Sequence, residues 1–464
     1  MTSLRPLRQA VALAAVALLA GCASVRPSAE AAAPLATVAQ PAEATAADRA
    51  AAAWWAQFGD PLLPGLVEEA LRANPQVTSA QAALRQARAL RDLAASGLYP
   101  NVGASASAGR NRARNVSSNQ FQAGFDAAWE PDLFGRTRAG VEAAEADVAA
   151  SRLSLADVQV SLAAEVAVDL ITLRGLQARL ALAQANLASQ QETFQIAQWR
   201  LQAGLATSLE AEQARAAAEQ TQAQIPALQL SMAQFASALA VLTGRPPALP
   251  RLNQVAPIPV APEGLAQSLP TDTLRQRPDV RAAETRVRAA LARVTQADAA
   301  RYPTFRLSGS LGLSALTLGS LTGPGTVVSS LLAGLSLPVF DAGAIDAQVR
   351  AQQAAAQQSA ASLQAVALNA LKEVEDALVE LRSSRERQAT LGRAAEAAAN
   401  AALLATQQYG SGLVDFQTVL QTQRTQLALQ DNLAAAQADA AIAHVRLYKA
   451  LGGGWQPDGA PAAP

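Results

Sequence analysis

The sequence predicts a mainly α-helical chain that also carries membrane β-structure, four strands per protomer. Three observations lead there: two very long proline-free stretches, two pairs of runs with strict apolar–polar alternation, and an internal duplication that gives each half one of both. Composition agrees. The 464 residues include 115 alanines and only 4% aromatic side chains. Such a mixture favours helix on intrinsic propensity and offers few bulky groups for a thick globular core. Charges balance at 37 basic and 37 acidic residues, so no global field draws nucleic acid. Cys22 is the single cysteine, His444 the single histidine, and Lys372 and Lys449 the only lysines. An intrachain disulfide is impossible and a Cys/His zinc site lacks ligands. A Ser-His-Asp triad would depend wholly on His444, and neither lysine follows a glycine as a P-loop requires. The sequence predicts no enzyme, cofactor or metal site.

Residues 1–21 read as a signal peptide: Arg5 and Arg8, then an apolar run from Val11 to Ala20. That run is too short to span a bilayer and fits a secretory h-region. Leu19-Ala20-Gly21-Cys22 resembles a bacterial lipoprotein processing site, where diacylglycerol is attached through the cysteine sulfur; the other reading is an ordinary signal peptide with an incidental cysteine. Ala23 follows in place of the aspartate that signals inner-membrane retention, which points to the outer membrane. Residues 22–53, rich in Ala, Pro, Thr and Glu without periodicity, read as a lipidated tether.

The remainder is duplicated. Leu71-Arg72-Ala73-Asn74-Pro75-Gln76-Val77 returns as Leu274-Arg275-Gln276-Arg277-Pro278-Asp279-Val280, and Tyr99-Pro100 returns as Tyr302-Pro303. Further on, Ala203-Gly204-Leu205 matches Ser411-Gly412-Leu413. The first repeat covers 54–243 and the second 271–451, each running helix, hairpin, very long helix, tight turn, helix. Between them 244–270, with prolines at 246, 247, 250, 257, 259, 262 and 270, forms an extended connection. Residues 452–464 read as a flexible tail.

Within each repeat the first helix, about Leu62 to Ser96 in the first copy, is stopped by Tyr99-Pro100. In the first hairpin, about 100–130, Val102, Ala104, Ala106 and Ala108 alternate with polar or small residues. A polar loop from Arg110 to Asn119 follows, and Phe121, Ala123, Phe125, Ala127 and Trp129 then alternate in turn. The second hairpin, about 303–338, repeats this with Phe305, Leu307, Gly309, Leu311 and Leu313, then Leu331, Ala333, Leu335 and Leu337. These runs approach the roughly 9–11 residues that cross a bilayer as tilted strands. From Thr137 to Ala203 no proline intervenes, and Val166, Leu173, Leu180, Leu187, Phe194 and Leu201 recur every seven residues. Such a stripe is a coiled-coil seam, and the stretch from Ala344 to Tyr409 is its counterpart. Abundant alanine lets such helices approach closely.

Together these features resemble the TolC-type outer-membrane factor family, in its efflux-lipoprotein branch (OprM/NodT-like). Trp54-Trp55 with Phe58-Gly59-Asp60-Pro61, the run from Trp129 to Arg136, and Leu337-Pro338-Val339-Phe340-Asp341 carry the resemblance, which spans Trp54 to Leu451. It implies a homotrimeric outer-membrane β-barrel continued by a long periplasmic α-helical barrel. Physics agrees: four strands cannot close a membrane barrel, and open strand edges are not tolerated in lipid. The implied function is a passive exit duct in a tripartite efflux system. The implied partners are a periplasmic adaptor, an inner-membrane pump of the resistance-nodulation-division (RND) type and outer-membrane lipid. Two readings stand for Arg110, Arg112 and Arg114 in the polar loop: contact with lipopolysaccharide phosphates outside the cell, or a merely solvated loop. Ala203-Gly204-Leu205 and Ser411-Gly412-Leu413 are implied to be adaptor-docking tips, and Tyr409, Asp415, Thr418 and Gln421 to form the periplasmic gate. Thr418 and Gln421 stand where relatives carry ring aspartates, with Glu210 and Asp415 as alternative sources of acidity. A type I protein secretion duct and a lipid-held periplasmic coiled-coil scaffold are the alternative readings.

Overall fold

The structure, a computed structural model, describes residues 54–113, 116–247, 250–261 and 276–453. Cys22 and Arg114 lie outside the described residues. A 3-10 turn, Trp54–Phe58, precedes α1 (Leu63–Ala73), α2 (Pro75–Ser96), β1 (Asn101–Ala113), β2 (Val116–Trp129), α3 (Arg136–Gln202) and α4 (Ser208–Leu242). The second half provides α5 (Pro278–Asp298), β3 (Thr304–Ala315), β4 (Val327–Ser336), α6 (Ala344–Gly410) and α7 (Phe416–Ala450). Duplication persists to the residue: α3 and α6 are each 67 residues long, and α4 and α7 each 35.

Two expectations need correction. The helix expected from Leu62 to Ser96 breaks at Asn74, whose ψ of 132° is extended. A residue before proline is driven from the helical region by the proline ring, and Pro75 then starts α2. Asn74 turns the break into a joint. Its side chain accepts from the Gln76 N–H at 2.7 Å and donates to the Leu242 carbonyl at 2.9 Å, tying α2 to the end of α4. The polar loop expected from Arg110 to Asn119 is instead mostly strand, since Arg110 pairs with Asn119 and Arg112 with Ser117. Polarity ended the apolar run there but not the ladder.

All four strands form one antiparallel sheet in the order β1-β2-β3-β4. Phe125 lies opposite Ala104 on one side and Leu311 on the other, so the two hairpins are joined in register through β2 and β3. Strands β1 and β4 are the outer members, each with one unpaired edge in the protomer.

The helices pack around α3, which contacts α1, α2, α4, α5 and α7. Its heptad stripe is fully buried only midway, at Val166 and Leu173; toward Gly204 exposure rises to 37% at Leu201. There the deepest column is Ala183, Gln190 and Ala197, also seven apart. Small side chains allow the close helix approach that alanine abundance suggested. Gly175 is part of this: a Cβ there would sit 2.9 Å from the Cβ of Ala438 on α7. The main apolar core gathers Trp54, Phe58, Leu63, Val67, Leu170, Ile171, Leu239, Leu252, Val445 and Tyr448. Trp54 stacks on Tyr448 at 5.1 Å, fastening the N-terminal end of the described chain to its last helix. His444 is a packing residue. Its Nδ1 faces the Ala440 carbonyl at 2.8 Å and its Nε2 the Arg385 guanidinium at 2.7 Å. Burial lowers its pKa below the ordinary histidine value, so the neutral ring donates from Nδ1 and accepts at Nε2.

Candidate functional site

Strand alternation gives the sheet two unlike faces. On one, Val102, Ala104, Ala106 and Ala108 of β1 line up with Phe121, Ala123, Phe125 and Ala127 of β2. That row continues across Leu307, Leu311 and Leu313 of β3 to Val327, Leu331, Ala333 and Leu335 of β4. None of these side chains is buried by the protomer: those of β3 and part of β2 are half-covered, while Leu331 is 79% and Leu335 71% exposed. The other face carries Ser105 bonded to Asp126 at 2.7 Å and Ser310 bonded to Ser330 at 2.8 Å. A sheet with a continuous bare apolar face and a polar opposite face suits lipid on one side and water on the other. Soluble hairpins packed on a scaffold would have buried that apolar face.

The far ends of the long helices form two matched turns. After α3, Gly204 has φ 71°; after α6, Gly412 has φ 73°. The Leu205 N–H reaches the Arg200 carbonyl at 2.7 Å and the Leu413 N–H the Gln408 carbonyl at 2.9 Å, while each glycine bonds three residues back. Both are Schellman caps, which need the positive φ that glycine supplies. In that motif the residue after glycine commonly packs back on its helix. Here it does not: Leu205 is 70% and Leu413 75% exposed. Ala203 and Ser411 are exposed beside them.

Tyr409 is the hub just inside the tips. Its hydroxyl donates to Glu210 at 3.3 Å, the Arg200 guanidinium lies 4.6 Å from its ring centre, and its ring packs on Phe416. The contact ties α6 to α4. Asp415 is the N-cap of α7, accepting from the Thr418 N–H at 2.9 Å and the Thr418 hydroxyl at 2.6 Å. Those bonds hold its carboxyl below the usual range. Glu210 is engaged with Tyr409 and is capped by Thr207. Thr418 and Gln421 lie on an exposed stripe of α7 that continues through Arg424 and Thr425. Sequence reasoning missed Arg424, because it followed the ring-aspartate positions; its place one turn beyond Gln421 was the available signal. Arg424 makes no ion pair among the described residues, and Gln421 beside it brings no charge.

An amphipathic membrane sheet continued by bundled helices of 67 residues defines an outer-membrane channel protomer. The sequence profile of outer membrane efflux proteins matches residues 66–245 and 269–453, and the chain belongs to that family. The pyoverdine export outer membrane protein OpmQ of Pseudomonas putida is 30% identical, over 87% of this chain and 88% of its own. Outer membrane protein OprJ of Pseudomonas aeruginosa is 30% identical over 95% of both chains. Among solved structures, the outer-membrane channel OprN superposes with a TM-score of 0.83 at 35% identity, covering 87% of this chain and 93% of that one. The protein is an efflux channel of the Gram-negative outer membrane, its membrane β-domain continued by helices into the periplasm.

Proposed function

We propose that three copies close one barrel of about twelve strands and act as the passive exit duct of a tripartite pump, with energy supplied by an RND-type inner-membrane transporter through a periplasmic adaptor. The observation that carries the trimer is the pair of unpaired edges on β1 and β4 of a sheet whose apolar face is bare. Lipid leaves such edges no partner, so β4 of one copy pairs with β1 of the next. Helix α4 supports this, since Leu209, Leu230 and Val241 stand more than half exposed on a single protomer. The cargo is drugs or other small molecules; the tips at Leu205 and Leu413 receive the adaptor. Heat-modifiable migration of a detergent-solubilised trimer together with planar-bilayer conductance tests the assembly. A monodisperse, non-conducting monomer would refute it.

The anchor is Cys22, N-terminal and acylated in the mature protein. Mass spectrometry of the wild type is expected to show the lipid and of Cys22→Ser to show none. An unmodified residue 22 in the wild type defeats the assignment.

The gate lies at the tip end of α7. Asp415, capping its own helix, and Glu210, held by Tyr409, keep their charge nearer the tip, while the ring formed by three copies of Gln421 carries no carboxylate and Arg424 adds positive charge one turn away. An acidic ring concentrates cations through its field, which this ring does not provide. The native channel is therefore expected to show weak cation selectivity and weak block by trivalent cations, and Gln421→Asp is expected to increase both. Reversal potentials in a salt gradient decide the matter. Strong cation selectivity in the native channel, unaltered by the substitution, would place the selectivity element elsewhere.

A further inference from the structure

The apolar face of the sheet ends in charge at one end only. Alternation along β1 places Arg110 and Arg112 on the face of Val102, Ala104, Ala106 and Ala108, opposite Asn119 and Ser117 of β2. Among the described strand residues these two arginines are the only charged side chains on that face, because Asp126 and Arg306 fall on the opposite one. Both are exposed, and neither makes an ion pair among the described residues. Their depth can be estimated. From the Asn101–Ala128 pair to the Arg110–Asn119 pair the ladder advances nine residues, or ~30 Å at about 3.3 Å each. A strand tilt of about 40° reduces this to ~23 Å along the barrel axis, near the ~25 Å height of the apolar band in outer-membrane barrels. The periplasmic level is fixed by Trp129, whose indole donates to the Leu98 carbonyl at 3.0 Å, and by the stacked pair Phe134 and Tyr302. Arg110 and Arg112 therefore emerge, facing outward, at the headgroup level of the outer leaflet. Guanidinium forks match phosphate oxygens, and the flanking amide and hydroxyl add neutral donors.

We propose that Arg110 and Arg112, with Asn119 and Ser117 beside them, form a binding site for the phosphate groups of outer-leaflet glycolipid. The proposal rests on the outer-membrane reading above. It turns the outer end of β1 from a solvated rim into a lipid-anchored collar, repeated once per protomer.

The test uses the full mature protein in detergent with EDTA, which removes bridging metal. Diphosphorylated lipid A and the same lipid stripped of both phosphates are titrated separately, with bound lipid counted by native mass spectrometry. Wild-type protein is expected to bind the diphosphorylated form at least tenfold more tightly. Arg110→Ser/Arg112→Ser should lose that preference, while Arg110→Lys/Arg112→Lys keeps part of it. Equal affinity of the wild type for the two lipids overturns the site, as does a preference that survives in the serine variant. Displacement of lipid A by millimolar inorganic phosphate would show a general anion site and also overturn it. Planar-bilayer conductance of the same preparations separates the failures. A wild type that does not conduct defeats the channel reading, whereas a conducting wild type indifferent to the phosphates defeats only the lipid site.

Discussion

Replacing Leu205 and Leu413 together with aspartate is expected to abolish efflux while leaving folded, membrane-inserted protein at normal abundance. Both leucines follow a capping glycine, and their side chains touch little of their own protomer, at 70% and 75% exposure. Substitution therefore removes almost no intramolecular burial. The cap is made by the backbone, through Gly204 and Gly412 and the bonds to Arg200 and Gln408, so it survives the change. What is lost is burial against a partner. Covering one leucine is worth about 1.5–3 kcal/mol, so two per protomer at the low end give ~3 kcal/mol, on the order of a hundredfold in affinity. Three protomers multiply the deficit, and desolvating aspartate adds to it. Drug susceptibility should match that of a strain lacking the channel, while conductance of the purified variant stays at the native level. Undiminished resistance at normal abundance would refute docking through these turns.

The second large effect lies in the core. Arg174→Ala is expected to destabilise the protein by about 3–5 kcal/mol, the range for removing one partner of a buried ion pair. Arg174 on α3 and Asp60 in the segment before α1 are each only 1% exposed at the side chain and meet at 2.8 Å. Arg174 also donates to Gln177 at 2.9 Å, and Gln177 donates to the Leu252 carbonyl at 2.9 Å. One guanidinium therefore fastens both the N-terminal segment and the connection between the two repeats to the central helix. Its loss leaves a buried carboxylate whose only other described bond is from the Leu62 N–H. A double variant, Asp60→Leu with Arg174→Met, should recover much of the deficit, because it removes both charges and keeps apolar volume. Thermal melting of the three proteins checks this. A single variant that melts with the wild type would show that water reaches the pair.

Much of this architecture was legible because its signals are local and periodic. Strand alternation at Phe121 to Trp129 needs only neighbours two apart, and the helix ends at Gly204 and Gly412 need only a backbone that tolerates positive φ. The lengths of α3 and α6 followed from the absence of proline, whereas α4 runs through Pro226. Where a local signal was overridden, another local signal usually explains it: Pro75 broke the first helix at Asn74. The extension of β1 through Arg110 and Arg112 differs, since polar residues there read as loop until pairing with β2 satisfied their backbone groups.

The candidate sites divide along the same line. The small-Gly-Leu turns and the cap at Asp415 were readable from sequence, and the family resemblance already implied exposed contacts at Leu205 and Leu413, which stand 70% and 75% exposed. Tyr409 with Glu210, Arg174 with Asp60, and the joining of two hairpins through β2 and β3 unite residues far apart in the chain, of types that recur elsewhere without partners. No periodicity marks such pairs. By itself the sequence determined the duplicated elements, the sheet's two faces and the lengths of the two long helices, because a backbone responds to the spacing of apolar groups along itself. Only the tertiary structure decided which charges are paired and which strand edges stay open, because those depend on the distances between elements that the chain brings together only when it packs.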